Sequence, residues 1–280
     1  MMDSLAIIFG LTSAITFGSG DFAGGFATKK NNVFIVLVIS QIAGLILLIL
    51  LALIIGENIL FDQMIFGSLS GIFGGLGLLA FYRGLAIGNM AVVAPITAVI
   101  APLLPLIFNL FSNPSYTFFQ ILGFILALIS IWMVSSTKSE GNVSFLDVKL
   151  AILAGLGFGL FLIFINLAST LSSYFFPLIF ARIASITMVF IIILITKQPS
   201  EITPKSVLII SLAGIFDTLG NVFFVLSSIY GRLDIASILT SMGPVVTIIL
   251  ASTIIKEKIT RMQLVGIFLA LTSIILISYK

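Results

Sequence analysis

The chain has 280 residues, 60% of them hydrophobic and 8% charged, with neither Cys nor His. A soluble domain carries about 25% charged and about 45–50% apolar residues, so this chain cannot cover its surface with polar groups in water and its natural solvent is lipid. Disulfide scaffolds, Cys/His zinc sites and His-based catalysis are excluded, and a scattered net charge of +3 excludes nucleic acid as a partner.

A bilayer core of about 30 Å needs about 20 apolar helical residues per crossing. Ten such runs are predicted, at 5–27, 33–55, 65–87, 90–111 and 117–136, then 147–170, 174–196, 207–229, 233–255 and 262–279. They are too long for barrel strands of about 10 residues. The first lacks a basic leader and carries Asp21, so it reads as a span rather than a cleaved signal. The longest connection, 137–146, holds Lys138, Glu140, Gly141 and Asn142 and leaves five spans on either side. The expected class is an all-α, multi-pass integral membrane protein of the cell membrane.

The two halves repeat. A shift of 143 positions lays 68–77 on 211–220, matching Ser68 to Ser211, Gly71 to Gly214 and Gly77 to Gly220. The same shift lays 117–130 on 260–273, matching Thr117, Gln120, Gly123 and Ser130 to Thr260, Gln263, Gly266 and Ser273. One residue of slippage brings Pro102 onto Pro244. Leu- and Ile-rich sequence alone does not reproduce the places of Gln, Gly, Ser and Thr. The expected units are therefore 1–140 and 141–280. With five spans each, the second must enter the bilayer in the opposite sense. Inverted repeats of this kind build a site near the midplane and expose it alternately in secondary transporters.

Four charges fall inside the apolar runs: Asp21, Arg83, Arg182 and Asp217. Each costs about 2.5–3.5 kcal/mol at a helix centre on the insertion scale, so each should face a partner or a wet cavity. Depth along the helices places Asp21 and Arg83 towards the same membrane face, where they are expected to meet. Arg182 and Asp217 are expected to meet near the midplane. Asn221 shares a helix face with Asp217, and the repeat lays Asp21 on Asn166 and Gln41 on Arg182. Those residues, with Tyr82, form the candidate substrate site; Phe17, Phe81 and Phe224 are further candidate walls. Two acids and two bases suit a neutral or zwitterionic substrate. Asp21 and Asp217, as acids at depth, are candidate proton-coupling positions. Pro95, Pro102 and Pro244, with Pro105, remove helical donors and are candidate hinges. Glycines at 67, 71 and 75 and at 155 and 159 have the spacing of close helix seams.

One family joins these features. Gly18-Ser-Gly-Asp21, Tyr82-Arg83-Gly84 and Val93-Ala-Pro95 in the first half, with Gly220-Asn221, Gly243-Pro244 and Lys256-Glu257-Lys258 before Gln263 in the second, resemble the EamA-like, ten-helix branch of the drug/metabolite transporter superfamily. The resemblance covers almost the whole chain. It implies a basket of two pseudo-symmetric five-helix bundles around a central cavity, and a permease or exporter for small metabolites such as amino acids. One departure is visible. The acidic residue that the family often carries after the fourth helix is replaced by 112–115, Ser-Asn-Pro-Ser, whereas Glu257 keeps it after the ninth.

The rival class is an intramembrane enzyme acting on a lipid-soluble substrate. The sequence has no G-x-x-x-x-G-K-[ST] string, and H-E-x-x-H is impossible without His. Only the Arg182/Asp217 region offers a fragment of a catalytic set, so no enzyme activity, cofactor or metal is expected. The expected function is secondary transport of a small organic metabolite, an amino acid or similar, by alternating access and in the export direction. Spans one, three, four, six, eight and nine are expected to wall the cavity, with Arg182 and Asp217 nearest its centre. The connections on one face carry nine Lys or Arg and those on the other two, which places both termini outside; the resemblance implies cytoplasmic termini.

Overall fold

In lipid, every backbone N–H and C=O must find its partner inside the segment or in a neighbour, which leaves each apolar run one solution, a helix. The computed structural model describes residues 2–28, 31–57, 61–87, 90–112, 116–136, 144–196, 206–256 and 259–278. The first repeat supplies α1 (Met2–Thr28), α2 (Val33–Ile55), α3 (Phe61–Ile87), α4 (Met90–Ser112) and α5 (Phe118–Ser135). The second supplies α6 (Phe145–Ala168), α7 (Phe175–Thr196), α8 (Val207–Tyr230), α9 (Leu233–Thr240), α10 (Gly243–Leu250) and α11 (Arg261–Ser278). Because α9 and α10 form one crossing, ten spans result. Helix starts are written in the sequence: Thr117 and Gln120 close a capping box on α5, as Ser144 and Asp147 do on α6.

The ninth span departs from an unbroken helix. It stops at Thr240, restarts at Gly243 and ends in a π-helical turn, Ala251–Ile255. Pro244 therefore stands in the first turn of α10, where its missing N–H costs nothing. Pro244, expected to kink a continuous ninth helix, stands instead at the start of that span's second segment. In the first repeat α4 runs unbroken past Pro95, Pro102 and Pro105. The interruption falls on Ser241 and Met242, just before Gly243 and Pro244, whereas α4 is continuous through all three of its prolines.

The helices interleave. α1 packs mainly on α8, α9 and α10, and its counterpart α6 on α3 and α4. α2 lies against α8 and α7, α7 lies against α3, and α5 pairs with α11. Each wall of the molecule thus takes helices from both repeats, with α2/α7 and α5/α11 meeting on a pseudo-twofold axis. The equivalence reaches individual residues. A Cβ on Gly71 would stand 2.1 Å from the Ala181 carbonyl oxygen, and one on Gly214 would stand 2.0 Å from that of Ser40. Gly71 and Gly214 are repeat equivalents, as are Ser40 and Ala181. Likewise Gly123 abuts Ile277 while Gly266 abuts Val134.

The largest buried cluster joins α2, α6, α7, α8 and α9 in the half of the molecule nearest the chain termini. Towards the opposite face the described cluster is small, Ala27, Val36 and Ile210. Phe224, a candidate cavity wall, is fully buried in the larger cluster.

Gly71→Val and Gly214→Val should each cost about 1–3 kcal/mol by forcing backbones apart. A thermal melt in detergent should show both losing several degrees, while Gly25→Ala, where a Cβ meets nothing within 4 Å, melts as the parent does.

Candidate functional site

Three helices bring the central cluster together, because α2 is wedged between α7 and α8. Arg182 is the eighth residue of α7 and Asp217 the eleventh of α8, so both lie well inside the bilayer. Their side chains form an ion pair, Arg182 Nη2 to Asp217 Oδ2. Arg182 Nη2 also donates to Thr218 Oγ1 at 3.1 Å, and Nη1 donates to Gln41 Oε1 at 2.8 Å. Gln41 in turn donates from Nε2 to Ser185 Oγ at 3.0 Å. The guanidinium thus has partners on two neighbouring helices, which is what a cation at this depth requires. Gln41 and Arg182, repeat equivalents in the sequence, bond to each other across the axis.

The pair is unequally accessible. The Arg182 side chain is 11% accessible and that of Asp217 41%. Asp217 Oδ2 is committed to arginine, while Oδ1 has no hydrogen bond among the described residues. Asp21 lies beside it. Gly20 packs so closely on α8 that a Cβ there would stand 3.1 Å from the Asp217 amide nitrogen, and the Asp21 and Asp217 carboxyls repel one another. Asp21 is exposed and makes no hydrogen bond or ion pair among the described residues. Two acids and one base therefore share this part of the fold.

The expected Asp21–Arg83 pair does not form. α1 is committed to α8, α9 and α10, and α3 to α6 and α7, so the two residues belong to different walls. Arg83 is exposed near the end of α3, and the ion pairs among the described residues are Arg182–Asp217 and Arg232–Asp234. Asn221 does follow Asp217 on one face, and one N–H of its side-chain amide donates at 2.8 Å to the Asp217 backbone carbonyl on its own helix. Asn166 is partly exposed near the end of α6, away from α1. The side chains of Tyr82 and Pro95 and all of Glu257 lie outside the described residues. Phe17 covers Gly220, and Phe81 packs edge-on against Phe158 at 6.0 Å between centroids.

Ser185 and Thr218 were not singled out in the sequence, and neither was the packing of α2 against both α7 and α8. The signal was available. Ser185 stands three residues after Arg182, one helical turn away, and Thr218 directly follows Asp217. Their repeat equivalents are Gly44 and Gly75, so each hydroxyl faces a glycine of the other half: Ser185 lies 3.3 Å from a Cβ built on Gly75, and Thr218 2.0 Å from one on Gly44. An apolar recess of about 340 Å³ between α4 and α5, lined by Ile96, Val99, Ile100, Leu128, Ile129 and Trp132, has no polar lining and is separate from this cluster. Among the described residues no group of three or more acids could hold a metal ion.

Residues 4–136 and 146–279 each match the EamA-like transporter family. An uncharacterized protein of Methanocaldococcus jannaschii is 30% identical over 132 residues, 46% of this chain and 96% of that protein, which is therefore about one repeat long. A crystal structure of a protein superposes with a TM-score of 0.81 at 15% identity, over 98% of this chain and 96% of that one. At that identity the likeness shows the fold alone.

Arg182→Gln and Asp217→Asn should each destabilise the fold by about 1–3 kcal/mol, because each strands a charge inside the bilayer. The double variant should lose less than the sum of the two. Thermal melts of all four proteins in one detergent measure this coupling; additive losses would mean that the pair does not act as a unit.

Proposed function

Since the chain belongs to the EamA-like transporter family, we propose that it is a secondary active transporter that moves a small organic metabolite, an amino acid or a similar zwitterion, by alternating access and in the export direction. The family makes the protein a membrane transporter, and multiple apolar helices make it a multi-pass integral membrane protein. The observation that carries the finer reading is the partly accessible Arg182–Asp217 pair beside unpartnered Asp21. A ligand with an ammonium and a carboxylate a few ångström apart has the charges to answer this cluster. Asp21 and the free Asp217 Oδ1 are acceptors for the ammonium. Arg182 would turn part of its fork from Asp217 to the carboxylate, as a planar guanidinium with several donors does readily. Gln41 and Ser185 keep that fork from drifting.

Proton coupling is part of the proposal. With two acids and one base, the empty cluster carries excess negative charge, and a proton and a substrate ammonium compete for the same carboxylate oxygens of Asp21 and Asp217. That mutual exclusion is the minimum needed for exchange of one against the other. A carrier of this kind needs no cofactor.

Proteoliposomes holding the purified protein, offered a mixed pool of metabolites with and without a pH gradient and read by mass spectrometry, test this. One compound should accumulate, more so with the gradient. Asp217→Asn should reduce its movement about tenfold or more, the value of one charge-assisted hydrogen bond. Equal movement with the gradient collapsed, or an unaffected Asp217→Asn, would overturn the coupling; no movement of any pooled compound by folded protein would overturn the substrate class.

A further inference from the structure

We propose that Glu57 is a latch that holds the carrier closed at the face bearing both chain termini, and that its release is a step of the transport cycle. The proposal rests on the alternating-access reading above.

Glu57 follows Gly56, the left-handed residue (φ 73°) that ends α2. From there its carboxylate reaches into the second repeat and takes the first amides of α7. Oε1 accepts from the Tyr174 N–H at 2.9 Å, Oε2 from Phe175 at 2.9 Å and from Phe176 at 3.3 Å. The Ser173 hydroxyl lies 3.1 Å from both Glu57 Oε2 and Gln63 Oε1, and Gln63 Nε2 donates to the Ser173 carbonyl at 3.3 Å. A helix start leaves its first N–H groups without internal partners and carries partial positive charge. Here a residue 117 positions upstream, in the other repeat, supplies that charge. Burial, and then the Glu57 charge, push the Tyr174 phenol above its usual pKa.

The other end of the same axis is built differently. There the start of α2 caps itself, the Asn32 side chain accepting from the Phe34 N–H at 2.9 Å. A register of 141 lays Gln41 on Arg182, and the same register lays Glu57 on Gln198, a neutral residue. A charge-assisted bond is about twice as strong as a neutral one, so the Glu57 carboxylate is a stronger acceptor than the amide that the repeat lays on its position. Packing follows the same division. Beneath Glu57 lies the large cluster that crosses the repeats, including Leu48 on α2, Leu162 on α6 and Phe175 and Leu178 on α7. Opening this face must separate α2 from α7, and the carboxylate is the polar contact that bridges the two at their ends. Its bonds lie at the membrane boundary, where water replaces them when they break. A Cβ on Gly56 would meet nothing within 4 Å, so the turn that carries Glu57 is not packed over at that position.

The absence of Cys from the natural sequence makes the test direct. Leu162→Cys, 8% exposed as leucine, reports opening at the terminal face. Ala127→Cys, at a position fully buried near the α5–α11 seam, reports general loosening. Both are treated in membrane vesicles with an impermeant maleimide from the terminal face. Adding Glu57→Gln should raise labelling of Leu162→Cys roughly three- to tenfold, the population shift for loss of one charged cap contact, with Ala127→Cys unchanged. Ser173→Ala, a milder change, should raise it less. Labelling that stays at the parent level in both variants overturns the latch. A parallel rise at Ala127→Cys overturns it too, because Glu57 is then a structural cap. The readout needs no substrate, so failure of the transport reading would appear in proteoliposomes while the labelling result stood.

Discussion

Close approach of backbones at small residues is the constraint on which the rest of this structure depends. Between helices in lipid there is no hydrophobic driving force, and association comes from packing and interhelical hydrogen bonds. Gly71 against the Ala181 carbonyl and Gly214 against that of Ser40 bring α3 to α7 and α8 to α2 within backbone contact. Only with α8 that close to α2, and α2 pressed to α7, can one guanidinium reach Gln41, Asp217 and Thr218 together. A side chain at either glycine would separate the helices that the cluster needs.

Within this nearly symmetric frame the chemistry is one-sided. Asp217 and Thr218 occupy the places that Gly74 and Gly75 hold in the first repeat, and Arg182 occupies the place of Gln41. The two repeats thus offer equivalent packing positions: one holds Asp217, Thr218 and Arg182 where the other holds Gly74, Gly75 and Gln41. The glycine half gives the polar half room: Gly44 accommodates Thr218, and Gly75 the Ser185 hydroxyl. Symmetry thus provides two related arrangements of walls, and asymmetry gives the molecule one charged centre for both to act upon.

Among the described residues the two faces of the molecule also differ. Near the termini, Glu57 on the start of α7 and the Arg232–Asp234 pair, with the Arg232 guanidinium 4.1 Å from the Tyr116 ring centre, join the repeats over a continuous apolar core. Towards the other face, Asp21 and Arg83 stand exposed without an ion pair among the described residues. Polar contacts at an aqueous boundary exchange readily for water, whereas apolar packing beneath them separates only as a unit. On the latch proposed above, that combination makes closure cooperative once the polar contacts yield.

Much of this was legible in the sequence, for reasons that can be named. Lipid leaves a long apolar run only the helix, so the ten spans followed from hydropathy. The repeat followed from Gly, Gln, Ser and Thr at fixed offsets, and depth along the helices brought Arg182 to Asp217. What depth could not supply was lateral position. Asp21 and Arg83 share a membrane face, yet α1 and α3 belong to different walls, and only the interleaving of the helices decided that they stay apart. The break at Ser241–Met242, the turning of Asn221 onto its own helix and the reach of Glu57 across 117 residues were likewise decided in three dimensions. A one-dimensional pattern sets which residues share a face and a depth; which faces meet is set by backbones that can approach closely enough, and that is a property of the packed structure.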